Sequence, residues 1–367
     1  MPGAPVAKRS YLNLMRPEDL LCPTPQGLCC PPGDFYIDPL RPVARALITH
    51  GHSDHARAGH GAVLATAETL DIMRIRCGDD CAGTLQAVPY GETFDINGVK
   101  ISFHPAGHIL GSAQVCVEWN GMRIVASGDY KNVPDPTCAQ FAPIACDVFI
   151  TEATFGLPVF RYGDALAETH KLLDSVALFP ERAHLVGGYP LGKAQRVIAL
   201  LRQAGYEQPI YLHGAMETLT RYYVGRGIDL GPLKLVRDAG KAELAGTITL
   251  CPPSALQDRW TRRFPDPVSA FASGWMRVRA RARQRGVELP LVISDHADWD
   301  GLTSTINATG ASEVWVTHGE EDALVHWCGT RGLKARPLRL VGYGDEEDGE
   351  MPPADTAAAP LDATEGE

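Results

Sequence analysis

The sequence predicts an α/β fold made of two units, one of which is inserted within the other. The chain has 367 residues, which is more than one average domain needs. Short apolar runs between turn signals fill residues 35–150 and indicate strands. From about residue 164 strand and helix patterns alternate, which is typical of βαβ units and a parallel sheet. Near residue 289 the strand–loop–helix pattern of the first part returns.

This order of patterns divides the chain into four segments. The outer unit occupies residues 1–163 and 289–344, the insertion 164–288, and an acidic tail 345–367. In the outer unit, Asn120-Gly121 between QVCVEW and MRIVAS predicts a two-residue hairpin. In the insertion, helices are predicted for DALAETHKLLDSVALF, GKAQRVIALLRQAG and METLTRYYVGRG, with SALQDRWTRRF continuing the alternation. The tail has almost no large apolar side chains, so we expect it to be disordered.

The net negative charge of the chain does not exclude a nucleic-acid partner. Acids exceed bases by 44 to 34, but nine acids follow the last Arg, and the remaining 35 nearly balance the bases. The field of a solvated tail is screened beyond about 8–10 Å at physiological salt. The sequence shows no signal-peptide run and no membrane-length apolar stretch, so we expect a soluble, cytoplasmic protein.

Ten cysteines are scattered along the chain. With no export signal, reduced thiols are expected rather than a disulfide framework. Cys22, Cys29 and Cys30 form the one local group, and it lacks the CxxC spacing of a structural zinc site.

A dense group of ligand-type residues follows the apolar run ALI, which is predicted to be a buried strand. Within six residues stand His50, His52, Asp54 and His55. Imidazole and carboxylate ligands suit zinc or manganese. A catalytic zinc usually takes three protein ligands, so four here, with further candidates elsewhere, predict two divalent metal ions. The further candidates are His108 in PAGHILGSAQ, Asp129 in VASGDYKN and His318 in VWVTHGEED.

These motifs resemble the metallo-β-lactamase fold, in the nucleic-acid-cleaving branch with an inserted β-CASP domain. The resemblance covers residues 20–343 in the family's order and implies an αββα sandwich with an inserted α/β domain. The matching positions are Asp38 in FYIDP, the His50–His55 motif, His108 and Asp129, followed by Glu152 in TEATFG (motif A), His296 in SDHADW (motif B) and His318 in THGE (motif C).

Within that branch, GLCCPPGDFYIDP, SGWMRVR and LVISDHADWDGL resemble the bacterial DNA-ligase-associated exonucleases, relatives of the Artemis-type DNA repair nucleases. This implies a DNA substrate, as single strands or strand ends, and an association with a DNA ligase and a helicase. A histidine at motif C is also typical of ribonuclease J and the pre-mRNA 3′-end endonuclease, whereas Artemis-like enzymes usually carry valine there. An RNA-processing ribonuclease with the same two-metal site is therefore the alternative.

The resemblance also implies a mechanism. One metal ion is expected on His50, His52 and His108, the other on Asp54, His55 and His318, with Asp129 bridging. Two cations about 3.5–4 Å apart stabilise a hydroxide that attacks the phosphodiester. Asp38 is expected to orient a ligand histidine. His296, kept protonated by Glu152, is expected to protonate the leaving sugar oxygen. A purely structural hydrogen-bonded pair is the other interpretation of these two residues.

Substrate contacts are expected from the insertion. Lys193 lies at a predicted helix start, where phosphate binding and a plain solvated lysine are both open. Ser273, Trp275, Arg277 and Arg279 are the other candidates. The alternate arginines from 277 to 285 would line one face of an extended segment and contact a nucleic-acid backbone, but would scatter on a helix. Trp275 could stack on a base or belong to the core.

Two further classes fit the sequence less well. A small-molecule hydrolase of the same fold, such as a thioester or lactam hydrolase, needs no inserted domain over its cleft. A metal-free scaffold would have lost ligand positions, and every ligand position is filled here. The sequence therefore predicts a metal-dependent DNA phosphodiesterase, an exonuclease of DNA repair.

Overall fold

The computed structural model describes residues 15–338 and residue 340, so the predicted tail at 345–367 lies outside the described residues. Within this part of the chain, nineteen strands form three sheets. In chain order the strands are β1 (Cys22–Thr24), β2 (Gly27–Cys30), β3 (Phe35–Ile37), β4 (Arg45–Leu47), β5 (His60–Ala65), β6 (Ala82–Ala87), β7 (Thr93–Ile96), β8 (Val99–Pro105), β9 (Ala113–Trp119), β10 (Met122–Ala126), β11 (Val148–Ala153), β12 (His184–Gly187), β13 (Ile210–Leu212), β14 (Leu233–Leu235), β15 (Ile248–Cys251), β16 (Val268–Ala272), β17 (Leu289–Leu291), β18 (Glu313–Gly319) and β19 (Lys334–Pro337).

Helices connect these strands. The α-helices are α1 (Pro17–Leu20), α2 (Ala67–Cys77), α3 (Ala165–Leu178), α4 (Lys193–Gln203), α5 (Gly214–Gly225), α6 (Arg279–Gln284), α7 (Trp299–Thr309) and α8 (Glu321–Thr330). Short 3-10 helices occupy Val236–Asp238, Lys241–Leu244, Pro253–Gln257, Arg259–Arg263 and Gly274–Arg277.

The first two sheets pack face to face. The first runs in the order β1-β2-β3-β4-β5-β6, and the second in the order β19-β18-β11-β10-β9-β8-β7. Leu47 and Leu64 of the first sheet share a buried core with Phe103, Ile124 and Ile150 of the second. Burying these apolar faces against each other removes them from water, which is the main force holding the two sheets together.

Helices cover the outer faces of this pair of sheets. On one side α2 places Leu70 against Val63 of β5. On the other side Leu302 of α7 and Leu324 of α8 pack with Val316 of β18. The resulting order of layers, helix, sheet, sheet, helix, confirms the predicted αββα sandwich.

Two hairpins of the second sheet have tight Asn-Gly turns. Trp119 pairs with Met122 across Asn120-Gly121, and Ile96 pairs with Val99 across the second Asn-Gly pair, residues 97–98. All four turn residues have positive φ, between 48° and 83°. This is the two-residue turn for which Asn-Gly is favoured, so the predicted hairpin at 120–121 is confirmed.

The third sheet lies between β11 and β18 in the chain. Its order is β14-β13-β15-β12-β16-β17 and every pair is parallel, as the alternating pattern predicts. α4 and α5 pack on it through a core that includes Val186, Ile198, Met216 and Leu250. We call this unit, together with α3 and α6, the inserted unit and the two-sheet sandwich the outer unit.

Two details differ from the sequence interpretation. Residues 253–263 form two separate 3-10 turns and no regular helix, because the Asp258 side chain accepts a hydrogen bond from Trp260 N and interrupts the run. β17 at 289–291 pairs with β16 in the third sheet. The sheet of the inserted unit therefore extends past the predicted boundary at residue 288.

The carboxyl ends of the parallel strands converge on one region. β10, β11 and β18 are parallel neighbours in the second sheet, and Asp129, Glu152 and His318 lie at or just beyond their carboxyl ends. In the inserted unit, Leu191 follows β12 and Asp295 follows β17. Ligand sites of α/β sheets form at such carboxyl edges.

Candidate metal centre

The loop after β4 carries four of the predicted ligands. It leaves the sheet as bends and turns, and most of residues 48–55 are buried. A Cβ on Gly51 would lie 2.5 Å from Ile72 Cγ2 of α2, so glycine lets the loop lie directly on that helix. The loop is thereby held at the carboxyl edge of the first sheet, facing the second.

Two groups of potential ligand atoms meet here, and they share one carboxylate. In each group the atoms lie within 4.8 Å of one another. The first group is His50, His52, His108 and Asp129, and the second is His55, Asp129 and His318. Asp54 Oδ2 lies 3.5 Å from His55 Nε2, beside the second group. The structure thus brings together all seven residues singled out as ligands.

The unsatisfied atoms of the cluster fit a cation. His50 Nε2 and Asp129 Oδ1 are buried and have no hydrogen-bond partner among the described residues. Buried polar atoms without partners are rare in native proteins, and a role in binding an ion is one accepted reason for them. Imidazole nitrogens with carboxylate oxygens are a donor set that suits zinc or manganese. The residues present therefore fit two divalent ions.

The outer unit orients His50 and His55. Asp38, which is buried, accepts hydrogen bonds from Thr49 N (2.8 Å), Thr49 Oγ1 (2.6 Å) and His55 Nδ1 (2.8 Å). Thr49 Oγ1 in turn lies 3.0 Å from His50 Nδ1. With both Nδ1 atoms engaged, the Nε2 atoms of His50 and His55 face Asp129 Oδ2 at 3.5 and 3.4 Å. Asp38 therefore lies behind the histidines.

The inserted side orients His52 and His108 through backbone carbonyls. His52 Nε2 lies 3.3 Å from Leu191 O, and His108 Nδ1 lies 3.0 Å from Asp295 O. A carbonyl oxygen can only accept, so these ring nitrogens donate. The remaining nitrogens, His52 Nδ1 and His108 Nε2, lie 3.0 Å apart within the first group of ligand atoms.

Burial and nearby carboxylates set the charges of the cluster. Burial lowers the pKa of His50 and His108 well below the usual histidine value, and it lowers the pKa of His318 to about 3. Neutral rings keep a lone pair for a cation. Burial also acts to lower the pKa of His55, but the carboxylates of Asp129 and Asp54 outweigh it and hold that pKa well above the usual value. Positive charge is favoured at this point.

His318 is held in an uncommon backbone conformation. It has a φ of 55°, and the pairing of β11 with β18 shifts register at this position. A Cβ on the next residue, Gly319, would lie 2.4 Å from Ala153 O. A non-glycine residue in the left-handed region costs free energy and tends to occur at functional sites. The bulge turns His318 toward His55, with ring centroids 4.9 Å apart.

Glu152 and His296 form a buried pair beside the cluster. Both Glu152 carboxylate oxygens lie near His296 Nδ1, at 2.9 and 3.1 Å, and Glu152 Oε1 also accepts from Tyr130 N. Burial acts to lower the pKa of His296, but the Glu152 carboxylate outweighs it and holds that pKa well above the usual value. The His296 ring lies 4.5 Å from the His108 ring, between centroids.

Three predicted substrate contacts are corrected by the structure. Lys193 is fully buried, and its Nζ lies 2.7 Å from Asp295 Oδ1, so it is not available to a phosphate at the surface. Ser273 is fully buried, and its Oγ accepts from Trp275 N. Trp275 is 5% exposed and packs on Phe155, so it belongs to the core and does not offer a face to a base.

The arginine run is helical. Residues 274–277 form a 3-10 turn and residues 279–284 form α6, so the extended arrangement of the alternate arginines is wrong. Arg and Ala are both strong helix formers, which explains the outcome. Arg277 and Arg279 are exposed, whereas Arg281 lies over the Trp275 ring at 3.7 Å from its centroid.

Several contributors to the site escaped the sequence analysis. Thr49 links Asp38 to His50, and Asp295 supplies the carbonyl for His108. Each stands directly beside a predicted site residue, which is the one signal that could have drawn notice. The carbonyl of Leu191 acts across 139 positions of sequence, and no local pattern predicts it.

The described residues include all the cysteines and the helices on which two of the sequence predictions depend. All ten cysteines are free thiols. Cys22 and Cys29 face each other across β1 and β2, but they belong to no group of three ligands in the described part of the chain. None of the helices that the structure describes has the length and apolarity to cross a membrane.

Comparison with known proteins gives relatives along most of the chain. A probable DNA ligase of Opitutus terrae is 29% identical over 317 residues, which are 84% of this chain and 30% of the ligase. The chain therefore spans less than a third of that relative. Ribonuclease TTHA0252 of Thermus thermophilus is 29% identical over 398 residues, covering 85% of this chain and 89% of the ribonuclease.

A solved structure supports the architecture alone. The crystal structure of a protein of unknown function from Enterococcus faecalis V583 superposes with a TM-score of 0.54 at 12% identity, over 80% of this chain and 78% of that one. No protein-family model matches the sequence.

Proposed function

The chain belongs to the β-CASP branch of the metallo-β-lactamase family, and from this premise we propose that it is a metal-dependent nuclease that hydrolyses phosphodiester bonds of DNA. The observation that carries the proposal is the pair of ligand groups sharing Asp129. Sites with two cations a few ångströms apart are typical of enzymes that hydrolyse phosphate esters. We further propose that it acts as an exonuclease in DNA repair, in the cytoplasm.

In this proposal His50, His52 and His108 would hold one ion, at what we call the first metal position. Asp54, His55 and His318 would hold the other, at the second metal position, and Asp129 would contribute to both. Two divalent ions, zinc or manganese, would supply the charge that activates a water and neutralises the phosphoryl oxygens. Asp38 accepts a hydrogen bond from His55 Nδ1 and so keeps His55 in the orientation that directs Nε2 toward Asp129.

His296 is proposed as the proton donor to the leaving sugar oxygen. Its Nδ1 is hydrogen-bonded to the Glu152 carboxylate, so its Nε2 is the atom that would deliver a proton. Burial acts to lower the pKa of His296, but the Glu152 carboxylate outweighs it and holds that pKa well above the usual value, which favours the protonated ring. A protonated histidine beside the ligand cluster supports an acid role over a merely structural one.

Arg277 and Arg279 are proposed to contact the nucleic-acid backbone. Both are exposed on the surface of the inserted unit. They follow β16, whose carboxyl end shares an edge with β17 and the segment leading to His296. Guanidinium groups that neutralise phosphates release counterions, and this favours binding of either nucleic acid.

The names of the two relatives point to different substrates, DNA for one and RNA for the other. The relative from Opitutus terrae has the name of a DNA ligase, which supports DNA as substrate and an association with a ligase, and by extension with a helicase. The Thermus thermophilus relative has the name of a ribonuclease and is matched along nearly its whole length. An RNA-processing nuclease with the same two-metal site is therefore the second candidate.

A matched digestion tests the proposal. Purified protein, with manganese or with zinc, receives DNA and RNA oligomers of identical sequence, single- and double-stranded, labelled at the 5′ or the 3′ end. Asp129→Ala, purified in parallel, reports contaminating nucleases. We expect DNA to be degraded well above RNA, with one end label released early as a mononucleotide. Preferred RNA cleavage would contradict the DNA assignment, and no cleavage of either polymer would contradict the nuclease proposal.

A further inference from the structure

The first half of α4 is unusual because it is polar and yet buried. Every residue from Lys193 to Leu201 is buried, and these include Lys193 and Gln195 with no exposed surface and Arg196 at 3%. Lysine, glutamine and arginine are mostly exposed in proteins unless they are paired. Since burial of such groups costs free energy unless their hydrogen bonds are made, their partners indicate what they do.

Gln195 fixes the segment that leads into α4. Its Oε1 accepts from Gly192 N at 2.8 Å, and its Nε2 donates to Pro190 O and to Thr220 Oγ1, each at 2.9 Å. Residues 190–192 are thereby held from both sides. Between them stands Leu191, whose carbonyl oxygen accepts from His52 Nε2.

Gly192 brings this segment against the loop of His108. It has a φ of 83°, and a Cβ there would lie 2.3 Å from Ile109 Cγ2. Both features favour glycine. The backbone of the inserted unit at Gly192 therefore lies directly against Ile109 of the outer unit. Ile109 is the residue next to the candidate ligand His108.

Lys193 fixes the segment that precedes His296. Its Nζ lies 2.7 Å from Asp295 Oδ1 and donates to Ile293 O at 3.2 Å. Residues 293–295 are therefore tied to α4. The carbonyl oxygen of Asp295 accepts from His108 Nδ1 at 3.0 Å.

Arg196 holds the same segment from the next turn of the helix. It donates to Ser294 O and forms a buried ion pair with Asp135 of the outer unit. α4 thus carries two cations that fasten residues 293–295, one of them reaching the outer unit as well.

We propose that Gln195 and Lys193 are positioning residues: through the carbonyl oxygens of Leu191 and Asp295 they fix the ring orientation of His52 and His108. The inference rests on the proposed metal site but adds the inserted unit as a determinant of it. Metal-binding histidines commonly donate their outer N–H to a carbonyl or carboxylate, and loss of such a partner weakens metal binding. Two of the three histidines of the first metal position have that partner placed by the inserted unit.

The test compares metal binding by full-length variants. Lys193→Met removes the cation, and the double variant Lys193→Met/Asp295→Asn also removes the carboxylate that would otherwise be buried without its partner. Arg202→Met is the matched control, because Arg202 lies on the same helix but donates to carbonyls within the inserted unit, those of Tyr206, Gln208, Leu230 and Pro232. Zinc affinity is measured by competition with a chromophoric chelator, stoichiometry by native mass spectrometry, and folding by thermal unfolding.

We expect the affinity of one metal position to fall by about 10–100-fold in both Lys193 variants, the usual size of such an outer-partner effect, while the other position keeps its affinity. Arg202→Met should lower the melting temperature and leave both affinities unchanged. Unchanged affinity in the folded double variant would overturn the proposal, as would an equal loss in Arg202→Met.

A measurement on the wild-type protein needs no variant. In ¹⁵N-labelled, zinc-loaded protein we expect His52 to have its proton on Nε2 and His108 on Nδ1, and the opposite tautomers would overturn the proposal. The outcomes also separate the two claims. A wild-type protein that binds two ions but cleaves no nucleic acid would contradict the nuclease function and leave this inference standing.

Discussion

The two sides of the candidate metal centre are supported in different ways. On one side Asp38 and Thr49 of the outer unit orient His55 and His50 through side chains close in the sequence, 38 to 55. On the other side, backbone carbonyls contributed from beyond residue 190 orient His52 and His108. The first side uses the charged carboxylate of Asp38. The second side uses the neutral carbonyls of Leu191 and Asp295, which buried polar residues of α4 hold in place.

This difference teaches that the two metal positions depend on different parts of the fold. A carboxylate that accepts from a ligand histidine increases the basicity of that ring, whereas a carbonyl mainly fixes its orientation. The second metal position should therefore depend on the outer unit alone. The first position should depend in addition on how the inserted unit is seated, because His52 and His108 have their carbonyl partners there. Single substitutions can test this difference.

The largest effect is expected where the two sides meet. Asp129 is the residue shared by both ligand groups, so Asp129→Ala should abolish hydrolysis and reduce binding of both ions. Nuclease assays and elemental analysis of the same preparation measure this. A variant that keeps full activity would contradict the shared role, and circular dichroism checks that the fold is intact.

His296→Asn should leave both metal positions occupied and lower the rate. If His296 is the proton donor, kcat should fall by about 10²–10⁴-fold, the usual contribution of general acid catalysis. Single-turnover kinetics with saturating metal measure the chemical step. A substrate whose leaving group needs no proton should be cleaved equally by variant and wild type, and an equal defect on that substrate would contradict the acid role.

Asp38→Asn should weaken the second metal position more than the first, because Asp38 contacts His55 directly and reaches His50 only through Thr49. The variant loses the charge that supports His55 Nδ1, so the affinity of that position should fall by about 10–100-fold. Read beside Lys193→Met, it shows whether the two sides are independent. If Lys193→Met and Asp38→Asn weakened the same position most, the two metal positions would not be supported by different parts of the fold.

Glu152→Gln should move the pH dependence of the rate. The Glu152 carboxylate raises the pKa of His296, so its removal lowers that pKa and the donor loses its proton at a lower pH. The alkaline limb of the pH–rate profile should therefore shift to lower pH. An unchanged limb in a variant that still binds both ions would show that His296 is not the titrating group.

The smallest effect is expected away from both metal positions. Replacing Arg277 and Arg279 by glutamine should raise KM, leave kcat and metal content unchanged, and reduce the salt dependence of binding by about two counterions. Fluorescence anisotropy with a labelled oligomer at several salt concentrations measures the slope. The exposed pair Arg221→Gln/Arg237→Gln, on α5 and after β14, serves as the control; an equal change there would argue against a specific contact.

How far the sequence predicts this site depends on how far apart the partners lie in the chain. The His50–His55 motif is compact, so its ligand residues are evident from spacing alone. The positions of His108 between glycines and of Asp129 and His318 at strand ends add three candidates. The surroundings of Lys193 are not evident from the sequence, because its partner Asp295 lies far away in the chain and belongs to another segment. A lysine at a helix start looks the same in sequence whether it faces solvent or a buried carboxylate.

The same distinction separates the correct and incorrect parts of the fold prediction. Asn120-Gly121 specifies its hairpin locally, and the prediction is confirmed. The alternate arginines leave their secondary structure undecided by spacing, and the helical preference of Arg and Ala settles it. Trp275 is buried by Phe155 and Phe160, which come from a remote part of the chain.

The most direct measurement is anomalous diffraction from crystals of the manganese-loaded protein. We predict two anomalous peaks, one among His50, His52 and His108 and one among Asp54, His55 and His318, with Asp129 between them. A single peak, or peaks outside this cluster, would contradict the two-metal centre on which the nuclease proposal and the different support of its two sides depend.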